Sequence, residues 1–198
     1  MTNFHLGRFL GKRCEVPGQE GLVRQAVGGR KQTLTNAAVQ FLERALEVFT
    51  AQQYAVDFVS IQLEVARVLS RSLYSSKSNG WTSALQHVFE ARKGLAVIEK
   101  QEREGKAKED DKSKSSQPMS FERCSALVEA ELSFLLREAV KFFAGQKDPK
   151  QEKTEALIKE LYREYLMEKK AGTNLPILLE RLSLRLVVFL KVEEGTSN

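Results

Sequence analysis

Cysteine and histidine are scarce: two of each in 198 residues, Cys14 and Cys124, His5 and His87. Two cysteines this far apart make neither a disulfide framework nor a metal cluster, and they suit a reducing compartment. Neither histidine lies beside a cysteine in sequence, so both are read as ordinary surface or half-buried side chains, with no metal and no cofactor expected. No stretch approaches 18 uninterrupted apolar residues, which excludes a membrane-spanning helix of that length. The first residues, MTNFHLGRFLGKR, hold no apolar run of a secretory signal. The expectation is therefore an intracellular chain. Carboxylates alternate with cations along the chain, which reads as solvated pairing on helix faces and not as a catalytic pair. With no candidate constellation, an enzyme is not expected.

What is present is apolar residues in helical rhythm. At 42% hydrophobic and 29% charged, a chain of this length can bury roughly 70% of its unfolded surface. Leu34 to about Gln53 places Ala38, Leu42, Ala45, Leu46 and Phe49 on one stripe, with Thr33 or Thr35 as cap. A second helix, about Asp57 to Tyr74, aligns Phe58, Ile61, Val65, Leu69 and Leu73, and "SSKSNG" (75–80) breaks it. A third runs from Trp81 to about Gln101 through Ala84, Leu85, Val88, Leu95 and Ile98. Further helices are expected at about 120–144 and 150–169.

The last stretch, "NLPILLERLSLRLVVFLKVEEG" (174–195), alternates like a strand from Arg181 yet also spaces Leu175, Leu178, Leu179, Leu182, Leu186 and Phe189 like a helix. No second strand exists to pair with it, and an isolated apolar edge would aggregate. Thr173 or Asn174 can cap a helix, with Pro176 in its first turn. Helix is the reading. Leu186–Leu190 is apolar on most sides, which predicts a helix packed between neighbours.

The expected architecture is all-α. About six antiparallel helices form one body over residues 33–192, with a disordered C-terminus at 193–198. Two segments lack the apolar residues that would offset ordering, at about 1–2 kcal/mol per residue. Residues 102–118 contain only Ala107 as an apolar residue and predict a disordered linker. Residues 1–32 hold six of the twelve glycines and read as a flexible tail.

That tail carries most of the net charge of +5: six cations (Arg8, Lys12, Arg13, Arg24, Arg30, Lys31) against two acids. These six are the candidate nucleic-acid contacts. They could support non-specific binding on the order of 10⁻⁴–10⁻⁶ M, and only Phe4 and Phe9 stand near enough to stack on bases. The near-neutral remainder of the chain argues against a body that reads DNA. "GRFLGKR" (7–13) is not a phosphate loop. It has three residues between its glycines where four are needed, and Arg13 stands where the Mg²⁺-holding hydroxyl belongs. Cys124 opens a helix, where a dipole can activate a thiol, but a small buried residue is the plainer account.

One pattern recurs. "AVQFLERA" (38–45) places Ala38, Leu42 and Ala45 at the spacing of the second helix of a tetratricopeptide repeat, and "ALQHVFEA" (84–91) repeats it as Ala84, Val88 and Ala91. The interval is 46 residues where 34 is usual, and the closing proline is missing, so the repeat is degenerate.

"FVSIQLEVARVLSRSL" (58–73), "EAELSFLLREAVKFF" (129–143) and "LPILLERLSLRLVVFL" (175–190), in this order, resemble the C-terminal end of the erythroid differentiation-related factor family. "LSFLL" and "LLERL" are the most specific pieces. The resemblance covers about residues 34–191. It implies tetratricopeptide-type helices, a nuclear location and a role in expression of erythroid genes such as globins. A helical scaffold that binds another protein is the function it suggests. Direct nucleic-acid binding by the tail is the alternative.

Overall fold

The computed structural model describes residues 24–71, 78–106, 120–144 and 151–195, and no strand occurs among them. Six helices follow one another: α1 (Arg24–Val48), α2 (Ala55–Arg71), α3 (Ser78–Lys106), α4 (Phe121–Ala144), α5 (Glu152–Lys170) and α6 (Leu175–Gly195). The chain expected as one body divides into two compact units, Met1–Val97 and Ile98–Asn198, with the boundary inside α3.

In the first unit α2 lies between two antiparallel partners. Phe49 and Tyr54 meet edge to face at 5.3 Å in the short turn joining it to α1. On its other side α3 comes so close that a methyl group at Gly94 would stand 2.6 Å from Val59 Cγ2 and 2.8 Å from the Ala55 carbonyl oxygen. Only a hydrogen fits there. Seven residues earlier, His87 Nδ1 donates to Gln62 Oε1 at 2.7 Å. Burial pushes the His87 pKa below its ordinary value, while the nearby Glu90 carboxylate pulls it up. Ala38, Leu42 and Ala45 of α1 and Ala84, Val88 and Ala91 of α3 are all buried, so both copies of the repeat-like triad are core. Small residues there let helix axes approach.

The second unit contains the end of α3 with α4, α5 and α6. Ser120 starts α4: its carbonyl takes the Cys124 amide and its hydroxyl the Arg123 amide. Cys124 is buried, and burial raises its thiol pKa, aided by Glu102. That is the opposite of an activated nucleophile. α4 and α5 run antiparallel, joined where Lys169 contacts Glu129 at 2.6 Å. The hydrogen bond to Glu129 holds the Lys169 pKa above its usual value, and the Tyr165 hydroxyl adds to this. α5 ends in a Schellman motif. The Thr173 amide reaches the Glu168 carbonyl and the Gly172 amide the Lys169 carbonyl, with Gly172 at φ 71°. Asn174 then opens α6, its carbonyl accepting the Leu178 amide.

Several expected boundaries move: the first helix, expected to about Gln53, ends at Val48, and the third, expected from Trp81 after a break at 75–80, starts at Ser78. Residues 24–32, assigned to the tail, belong to α1. Gly28 and Gly29 each cost a helix about 1 kcal/mol, but propagation through them needs no new nucleus. Residues 102–106, assigned to the linker, extend α3. Arg103 pairs with Glu99 and Lys100 with Glu104 at four-residue spacing, and the Glu102 carboxylate accepts the Phe121 amide. Pairs of this kind support a helix without any apolar residue. Residues 193–195 complete α6. The rest of the expected tail, linker and C-terminus (1–23, 107–118, 196–198) lies outside the described residues.

Candidate partner-binding groove

α6 settles the sequence's double rhythm. Leu178, Leu179, Leu182 and Leu186 are buried, as a helix stripe requires. Leu184 and Val188, which a strand would place beside Leu182 and Leu186, are 61% and 62% exposed. The expectation of neighbours on both sides fails, however. Ile177, Leu184, Val187, Val188 and Val192 all face outward.

Part of this open face forms one wall of a groove of about 640 Å³ between α5 and α6. α5 supplies Lys153, Ala156, Leu157 and Glu160, and α6 supplies Leu184, Arg185, Val188, Phe189 and Val192. On each helix these fall three to four residues apart, so each presents one continuous ridge.

Charge pins the two walls together. Glu160, Glu164 and Glu168 recur every four residues on α5, and like charges so placed repel. α6 answers with Arg181 and Arg185. Arg181 meets Glu168 at 2.7 Å; Arg185 binds Glu160 and, at 2.6 Å, Glu164. A hydrogen bond from Thr173, helped by Arg181, keeps the Glu168 carboxyl below its ordinary range. The sequence reading took such charges for pairs within single helices. The signal it passed over was the unmatched run of three glutamates. Of the charged residues lining the groove, Arg185 and Glu160 neutralise one another, while Lys153 has no acid partner among the described residues.

Arg24, Arg30 and Lys31 fall within α1; Arg8, Lys12 and Arg13, with His5 and Cys14, lie outside the described residues. No group of three metal-ligating side chains gathers among the described residues, and no helix there is long and apolar enough to cross a membrane.

Antiparallel helices, joined by short turns at 49–54 and 171–174, with a buried small–large–small triad repeated on α1 and α3, define a helical repeat scaffold of tetratricopeptide type. A family model described as erythroid differentiation-related factor 1-like, tetratricopeptide repeats, matches residues 22–195, and the chain belongs to that family. The match reaches beyond the expected 34–191 at both ends, and so takes in all of α1 and α6. No curated protein and no solved structure matches the chain.

Proposed function

We propose that this chain is a protein-binding scaffold that acts in the nucleus on the expression of erythroid genes. The observation that carries the binding role is the open apolar face of α6, where Leu184, Val188 and Val192 are each more than half exposed along one helix. A repeat array gains stability by stacking each helix face on a neighbour, and an unstacked face is available to a partner. The erythroid and nuclear parts are supported by the family's name. Proximity labelling from the full chain in erythroid nuclei tests both. Nuclear proteins labelled above a helical control of equal size are expected, together with changed globin transcripts when the chain is depleted. Labelling no different from the control would reject the reading.

A second reading keeps the nucleic-acid role of the N-terminal segment, because six of the chain's cations stand among its first 32 residues. Changing Arg8, Lys12, Arg13, Arg24, Arg30 and Lys31 together to Gln should abolish retention on DNA at roughly 50 mM salt. Undiminished retention would refute it.

A further inference from the structure

We infer that the α5–α6 groove receives one amphipathic helix from a partner protein, about two turns of it, whose apolar stripe is flanked by a carboxylate that meets Lys153. This rests on the scaffold reading and names the kind of partner.

Shape selects a helix. The groove is a trough between two antiparallel helices, lined from Lys153 to Glu160 on one side and from Leu184 to Val192 on the other. At 1.5 Å per residue those walls are about 11–12 Å long, or two helical turns. Their ridges suit a third helix packing at positions i, i+4 and i+7. A peptide that binds by strand addition needs a sheet edge, and neither wall is one, since both are helices.

Charge selects the sign of the flank. Glu160 is held by Arg185, which leaves Lys153 as the lining charge without a partner. Lys191, exposed beside Val192 on α6, also has no acid partner among the described residues. An acidic flank is attracted to this rim and a basic one is repelled.

The test is a displayed library of amphipathic helical peptides selected on the full chain and counter-selected on Val188→Arg. Val188 is exposed, so this variant should melt like the parent, which separates loss of binding from loss of fold. Enriched peptides should carry apolar residues at i, i+4 and i+7 with flanking Asp or Glu. Val188→Arg should weaken them by about tenfold or more, as change of a central contact does. Lys153→Glu should weaken them about 2–5-fold, the scale of an exposed ion pair, and should favour their Lys-flanked twins by a similar factor. No enrichment, basic flanks, binding that survives Val188→Arg, or a dimer of the chain that Val188→Arg dissolves would each overturn the inference. Proximity partners in nuclei retained by Val188→Arg would also overturn it, while leaving the scaffold reading intact.

Discussion

α2 and α6 are both apolar around most of their circumference, and they end up in different situations. α2 is covered on both flanks: Phe58, Val59, Ile61, Leu63, Val65, Ala66, Val68 and Leu69 are all buried, together with Gln62 and Ser70. α6 buries one leucine stripe and leaves Leu184, Val188 and Val192 more than half exposed. Apolar residues on every side therefore say that a helix can be enclosed. How many neighbours enclose it depends on the rest of the array. Where a neighbour is missing, the surplus apolar face stays open, as Leu184, Val188 and Val192 do.

Truncations in the two cores test the shared part of this comparison and carry the largest expected effects. Ile61→Ala in α2 and Leu182→Ala in α6 should each cost about 2–5 kcal/mol, since both side chains are fully buried. Urea unfolding of each variant reads the loss directly. A cost under about 1 kcal/mol for Leu182→Ala would mean that α6 is not anchored by its leucine stripe.

Next comes the contact that makes α2 an enclosed helix. Gly94→Ala would gain about 1 kcal/mol of helix propensity. It would also press a methyl against a backbone carbonyl and the Val59 side chain, and overpacking of this kind costs about 1–3 kcal/mol. Because Ala55 O cannot swing away as a side-chain end can, a net loss is expected. A variant more stable than the parent would show that α3 stands farther from α2.

The sequence carried the helix stripes well, because the 3.6-residue period is a local property: Ala38, Leu42, Val88 and Leu182 fall where that period puts them. Boundaries were harder. The start of α1 and the end of α3 lie in segments rich in glycine or charge, where helix formation rests on propagation and ion pairs that composition does not reveal. Gly94 carries no signal in the sequence, since only the position of Ala55 shows why nothing larger fits. The groove was hidden for a similar reason. Leu184 and Val188 have the same apolar character as Leu182 and Leu186, and only the count of packed neighbours separates them.

pH gives a smaller effect confined to the first unit. His87 has a folded-state pKa below its ordinary 6.5 because of burial. Above that value both folded and unfolded chains hold it neutral, so its contribution is intact. As pH falls below about 6.5, the unfolded state takes up the proton first and stability drops, until the folded pKa is also passed. Melting should therefore move lower between about pH 7.5 and 5.5, and His87→Gln should flatten that part of the profile. Carboxylates titrate lower, and His87→Gln isolates the part that belongs to His87. An unchanged slope in the variant would assign the effect elsewhere.

The smallest expected effect separates the two helices most sharply. Leu184→Ala removes as many atoms as Leu182→Ala, two positions along the same helix. Leu184 is 61% exposed, so most of its surface already faces water. Surface changes of this kind fall within about 0.5 kcal/mol, and alanine's helix propensity is at least equal to that of leucine. Melts of Leu184→Ala and the parent should therefore superimpose, while Leu182→Ala falls well below them. The equivalent pair in α2, Ile61→Ala and Leu63→Ala, should both be costly, because both residues are buried on opposite flanks of that helix. If Leu184→Ala instead matched Leu182→Ala, its side chain would have to be covered, either by a strand-like face or by a second copy of the chain. Repeating the melt at tenfold lower protein concentration distinguishes these two, since only association makes the midpoint depend on concentration.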